Sequence, residues 1–441
     1  MNEWTDAESR VERARDLYDK GRWAEAAAEL RAAIQINPVN PDWHFNLALT
    51  LDAMEEYERA SECYRTALEL DPDDVETLNC MGMDMTRMGL YSEALKFFER
   101  IDRVDSHYEP GYCNRIITYT EIGEHEQAEL MFYLARQVKE DCPLCYFNIG
   151  GSFFARGMYA RAINCWEQTL TLDPEHPQAN ARIAEACWAK GEMALARRHF
   201  AAELALNPGD IDTLQDFGEL LLEMKEYDEA AEKFRRMLEQ APDNAAAHYN
   251  LGEVALAKDD SQVAQDQFRQ TLAIEAQYPG AHAKLGGLLL RQGEQRQAAK
   301  HLLAEAANCG DDPAMLQELG QLLIEAQHVR QANDLLRQLV RIAPDDPHAH
   351  HNLAVSFFML RRPEDGIRHC RRALKLKPDY SVALYNLALA HMQKGAMRKA
   401  RRYAAKAMTA APNDPQIRRL AAKLGLDGFW AKLKLRFLPE R

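Results

Sequence analysis

Apolar positions recur along this chain at helical spacing, and the whole pattern repeats every 34 residues. Proline closes segment after segment at that interval or its multiples: Pro38, Pro72, Pro174, Pro208, Pro242, Pro344, Pro378 and Pro412. Frames beginning at Ala7, Pro41, Val75, Glu109, Pro143, Pro177, Ile211, Ala245, Pro279, Pro313, Pro347 and Ser381 tile residues 7–414 without an insertion. With each frame numbered 1 to 34, position 8 is Gly or Ala in eleven of twelve frames and position 20 in all twelve. Position 24 is mostly large, as in Tyr64, Phe98, Phe132, Trp166, Phe200, Phe234 and Phe268. Positions 4, 7, 8 and 11 fall in one sector of a helical wheel, which predicts an amphipathic helix A in each frame. Positions 20, 24 and 27 do the same for a helix B. Gly at position 15 (Gly21, Gly89, Gly123, Gly157, Gly191, Gly293, Gly395) marks the turn between them, and the proline at position 32 ends B.

Tiny residues at positions 8 and 20 let the two helix backbones approach, while the position-24 side chain fills the space beside them. Such hairpins stack on their neighbours into a solenoid. The pattern resembles the tetratricopeptide repeat (TPR) family over about nine-tenths of the chain. The resemblance implies an all-α fold, a right-handed superhelix of helix-turn-helix repeats. It divides the chain into an N-terminal lead (1–6), twelve repeats (7–414), a C-terminal capping helix (415–424) and a basic amphipathic tail (425–441). Some frames depart from the pattern: Ile116 occupies a tiny site, and Ser106, Glu140, Ala276 and Gly310 replace the proline. Different packing is expected at those junctions.

Positions 2, 6, 9 and 13 point away from the buried side of helix A. In the family this opposite face lines a concave groove. Position 6 is Asn in six of twelve frames: Asn46, Asn114, Asn148, Asn250, Asn352 and Asn386. Asn is a mediocre helix former, so its frequency at an exposed site calls for a reason. A primary amide offers both a donor and an acceptor, which suits an extended peptide backbone. The row resembles the asparagine ladder of the TPR superhelix in O-linked N-acetylglucosamine transferases. The resemblance implies a peptide-binding groove. Bridging between adjacent A helices is the competing use of the same amides. Aromatic residues at position 5 (Phe45, Phe147, Tyr249, Tyr385) and position 12 (Phe154, Trp188, Phe358) serve either as ligand pockets or as packing between A helices. The flanks of Asn46 and Asn148 match a chaperone-tail carboxylate clamp poorly.

Of 441 residues, 47% are apolar and 28% charged, the balance of a folded protein. Charge is uneven. Residues 1–350 carry −28, and residues 351–441 carry +14. The acidic body disfavours nucleic acid along most of its length, while the basic end is either a surface for anionic lipid, nucleic acid or an acidic partner, or a solvated face or head-to-tail contact between two copies. In the tail, Phe429 and Trp430 lie beside Lys432, Lys434 and Arg436 in a short basic amphipathic pattern. That pattern suits a membrane interface, a partner, or folding back onto the last repeat. No run of eighteen apolar residues and no secretory signal is found, so a cytoplasmic setting with peripheral membrane contact through the tail is expected.

The expected function is therefore a non-catalytic scaffold that binds an extended peptide or partner protein. The alternative is an assembly or membrane-recruitment subunit acting through the basic end. No nucleotide-loop, zinc-protease or nucleophile-elbow motif is present, and no cofactor is implied. Carboxylates read as scattered surface charges rather than paired, desolvated groups. Cys142 and Cys145 form a CxxC with Cys113 and Cys165 as candidate neighbours; without a second CxxC they read as structural thiols in a reducing compartment, not a metal site. His44, His248, His282 and His350 share position 4, which points to packing rather than metal binding.

Overall fold

The computed structural model describes residues 3–426, with side chains from Asp6 onward. The tail positions Phe429, Trp430, Lys432, Lys434 and Arg436 lie outside the described residues. Within them the chain forms twenty-five α-helices and no strand. Two compact units result, Met1–Met224 and Lys225–Arg441. In each unit helices pair in chain order. The first pair is α1 (Glu3–Asp19) with α2 (Trp23–Ile36); the last is α23 (Ser381–Gln393) with α24 (Met397–Ala410), followed by α25 (Pro415–Lys423). Helix α1 begins four residues ahead of the first frame, within the expected lead. Among the described residues no helix is long and apolar enough to cross a membrane.

The small-residue rule has a direct steric cause. A Cβ on Gly82 would meet the Phe98 ring at 2.6 Å, and one on Gly150 would meet Trp166 at 2.4 Å. Gly252 stands in the same relation to Phe268, as do Gly286 to Leu302 and Gly320 to Leu336. Position 8 is thus tiny because position 24 of the same hairpin lies across it. Phe98, Trp166, Phe200, Phe234 and Phe268 are in consequence fully buried. In the fourth repeat Ile116 fills the tiny site and is itself fully buried. There the position-24 ring, Phe132, is displaced toward Tyr146, with centroids 5.2 Å apart.

The A-to-B turn requires a left-handed residue in every repeat. All seven glycines at position 15 have positive φ, and so do the five side-chain-bearing residues there: Glu55, Lys225, Asp259, Gln327 and Arg361. These five carry strain that glycine avoids.

Helix A is started by one of several devices. Where position 34 of the preceding repeat is Asp or Asn, its side chain accepts backbone N–H groups, as Asn40, Asp74, Asp210, Asn244, Asp312, Asp346 and Asp414 do. Helices α11 (Ala179–Ala189) and α17 (Ala281–Arg291) lack such a cap. Each begins late, after a left-handed residue, Gln178 or Gly280. A buried glutamate from the partner helix B caps them instead. Glu203 accepts from the N–H of Gln178 (3.0 Å) and Ala181 (3.3 Å). Glu305 accepts from Gly280 (2.9 Å) and Ala283 (3.1 Å). Both sit at position 27, which the sequence pattern marks as apolar.

Candidate functional site

Consecutive A helices lie side by side in each unit, and position 6 falls along their seam. Five of the six asparagines there are half-buried, and Asn250 is 9% exposed. Three bridge to the residue 35 positions earlier, on the preceding A helix. Asn114 donates to the Asn79 side-chain carbonyl at 2.9 Å, and Asn148 to the Cys113 backbone carbonyl at 3.0 Å. Asn386 Nδ2 lies 3.0 Å from His351 Nε2. Asn352 pairs with His351 Nδ1 at 3.3 Å. Bridging between A helices is thus an actual use of these amides. A bridging Asn114 or Asn148 engages its N–H in the contact and keeps its carbonyl as an acceptor.

Asn46 is placed differently. It lines a cavity of about 460 Å³ between α1 and α3 (Pro41–Asp52), together with Phe45, Tyr18, Arg15 and Glu76. This recess brings an amide, aromatic rings and both signs of charge together on the position-6 face. In the second unit a recess of about 490 Å³ lies between α17 and α19 (Pro313–Glu325). Its polar lining is mostly charged, with Lys284, Arg291, Glu318 and Glu325 beside the Gln295 amide. Lys284 is paired with Glu253 at 2.8 Å.

Two carboxyl groups correct the expectation of scattered surface charge. Asp84 is fully buried, and Arg87 bridges it (3.2 Å) to Asp52 (2.5 Å). Burial, followed by the nearby Asp52 charge, pushes the Asp84 carboxyl up to about 7. Asp216, at position 6 of the seventh repeat, is pushed up to about 6 by burial and by Glu185 and Glu219. These shifts arise from which A helices become neighbours, which a single frame does not reveal.

The position-4 histidines hold hairpins together. His248 Nδ1 meets Gln267 at 2.8 Å, His282 meets His301 at 2.8 Å, and His350 meets His369 at 3.1 Å, always from position 4 to position 23. His44, His282 and His350 also reach the carbonyl at position 32 of the preceding repeat, on Pro38, Ala276 and Pro344. His301 and His369 are each pushed down to about 4, first by burial and next by the facing histidine.

The cysteines also differ from the sequence expectation. Cys113 does join Cys142 and Cys145, and a disulfide links Cys113 to Cys145. Cys165 does not join them; it lines a separate recess with Glu129, Arg136, Tyr146 and Arg161.

Comparison with known proteins agrees with the repeat geometry. Two tetratricopeptide repeat models match the chain, one at residues 17–78 and 357–424, the other at 147–211, 216–279 and 318–381. Together they cover more than half of it. The chain is 22% identical over 245 residues to "Protein CTR9 homolog" of Arabidopsis thaliana, covering 52% of this chain and 22% of that protein. It is 24% identical over 232 residues to "Hsp70-Hsp90 organizing protein 2" of Arabidopsis thaliana, covering 43% of this chain and 40% of that one. The chain therefore spans less than half the length of these relatives. Among solved structures, the "APC/C hetero-tetramer Cut9-Hcn1" is similar at 14% identity and a TM-score of 0.41, over 93% of this chain and 95% of that one. On its repeats and on the two repeat models that match them, the chain belongs to the tetratricopeptide repeat family and is a protein-interaction scaffold.

Proposed function

We propose that the protein is a non-catalytic adaptor that holds an extended segment of a partner protein along its A-helix face. The observation that supports this most directly is the recess around Asn46. An amide there stands beside Phe45 and Tyr18, with Arg15 and Glu76 at hand for charged side chains. An extended peptide presents alternating N–H and C=O groups, which a primary amide can meet in both senses. Asn114, Asn148, Asn250, Asn352 and Asn386 would extend the contact surface along the same helix positions. The bridging asparagines would offer mainly their carbonyl oxygens. The similar "Peroxisomal targeting signal receptor" of Candida glabrata is, by its name, a receptor for a targeting signal.

The test selects peptides from a random display library on the full-length chain, then titrates one labelled peptide against Asn46→Ala. Loss of one or two hydrogen bonds should weaken binding about five- to tenfold with helicity unchanged. Photo-crosslinkers at Asn46 and Asn114 should label the same peptide. Labelling confined to residues after 350 would replace this reading with recruitment through the basic end.

A further inference from the structure

We propose that the reduced protein binds one zinc ion between its fourth and fifth repeats, through Cys113, Cys142, Cys145 and Glu109. The ligand atoms of these four residues lie within 4.8 Å of one another, and all three cysteines are buried. Two elements supply them in pairs. Glu109 and Cys113 stand one turn apart on α7 (Glu109–Glu121), so they share a face. Cys142 and Cys145 flank the start of α9 (Pro143–Ala155), where Cys142 is the N-cap. A CxxC at a helix start facing an i, i+4 pair on a second helix is a two-plus-two ligand arrangement, and three thiolates with one carboxylate suit zinc.

The distances fit such an ion. Two Zn–S bonds of about 2.3 Å at a tetrahedral angle place the sulfurs about 3.8 Å apart. The Sγ atoms of Cys113 and Cys142 are 3.6 Å apart. Glu109 Oε1 already touches two of the sulfurs, at 2.8 Å from Cys113 and 3.2 Å from Cys145. The backbone N–H of Cys145 donates to Cys142 Sγ at 3.3 Å. The Cα atoms of Cys113 and Cys145 are 5.2 Å apart, so side-chain rotation alone separates their sulfurs once the disulfide is opened.

In the repeat numbering the four ligands are positions 1, 5 and 34 of the fourth frame and position 3 of the fifth, and α7 and α9 pack more closely than other consecutive A helices do. Only here are all four filled by ligand side chains. The second junction has Pro41, Phe45, Asp74 and Thr77 there, and the tenth has Pro313, Gln317, Asp346 and Ala349. The cluster is therefore an addition to the repeat rather than a consequence of it.

A trialkylphosphine opens the disulfide: with one water it yields two thiols and the phosphine oxide. Zinc then displaces the protons of three thiols and takes the Glu109 carboxylate as its fourth ligand.

The experiment reduces the full-length chain, adds zinc, removes loose metal with a weak chelator and counts what remains by plasma mass spectrometry. One zinc per chain is expected. Peptide mapping after alkylation should show Cys113, Cys142 and Cys145 protected and Cys63 modified. Cobalt in place of zinc should give thiolate-to-metal charge-transfer absorption. Cys142→Ser should lower affinity at least a hundredfold and Glu109→Gln about tenfold. Glu109→Gln keeps side-chain size, so it remains informative if a cysteine variant misfolds. Absence of retained zinc in the reduced chain overturns the proposal, as does zinc bound equally by Cys142→Ser and Glu109→Gln. Reduced protein that returns to the Cys113–Cys145 disulfide in the presence of zinc, with no metal held, also overturns it.

Discussion

Helices α5 (Val75–Arg87) and α9 begin at the same point of their repeats, yet their first turns are chemically unlike. At α5, Asp74 accepts from the N–H groups of Glu76 (3.4 Å) and Thr77 (3.1 Å) and from the Thr77 hydroxyl. At α9 the same place is Cys142, whose sulfur accepts one N–H. Sulfur is a weak acceptor, so α9 gives up part of the capping energy that α5 enjoys. In return it presents two buried cysteine sulfurs and faces a third sulfur and a carboxylate. The repeat fixes which positions become neighbours; the residues placed there decide whether the neighbours only start a helix or make a site. Helix α17 is a third solution, since its cap comes from Glu305 on its own partner, α18 (Gln295–Asn308).

The largest effect is expected at that third solution. Glu305→Ala leaves two backbone N–H groups without their acceptor in a buried place, a loss of about 2–4 kcal/mol. Hydrogen exchange at Gly280 and Ala283 should rise together with the drop in the second unit's denaturant midpoint; unchanged exchange would show that the glutamate does not start the helix.

The second unit should also be acid-sensitive. His301 and His369 titrate near 4 when folded and near the ordinary 6.5 when unfolded. The unfolded chain therefore binds more protons between those values, and stability falls as pH drops from about 6.5 toward 4. Because both rings are partly solvated, about 1–2 kcal/mol is expected for the two together. Replacing both with Gln should flatten that part of the pH profile.

Exchange of caps tests the comparison itself. Asp74→Ala should cost about 1–1.5 kcal/mol, and Cys142→Asp should add about 0.5–1 kcal/mol to the metal-free protein. If thermal melts show Cys142→Asp destabilising the metal-free chain, the sulfur is not the weaker cap. The smallest effect is at the A-to-B turn. Gln327 has φ 63°, so Gln327→Gly should relieve about 0.5–1 kcal/mol, whereas Gly293→Gln should cost a similar amount.

The repeat length, the helix pairs, the tiny sites and the left-handed turns were legible in the sequence because they are local or belong to one hairpin. Gly150 and Trp166 lie sixteen residues apart, within one frame, so their partnership shows up as a column of small residues facing a column of large ones. Periodicity likewise marked position 6 as a distinct face. It could not tell an amide that lines a recess from a bridging one, because Asn46 and Asn114 occupy the same wheel position and differ in what the preceding A helix presents. The same holds for Asp84, whose carboxyl is pushed up by burial and then by Asp52 from another repeat, and for Glu203 and Glu305, polar residues at an apolar position. Cys142 and Cys145 were visible as a pair and Cys113 as a candidate neighbour, but the choice of Cys113 over Cys165 and the approach of Glu109 depend on contacts between two repeats. Periodic spacing determines the hairpin because helix geometry maps sequence offset onto direction. Contacts between hairpins join residues of different repeats, and only the folded chain decides what each side chain meets there.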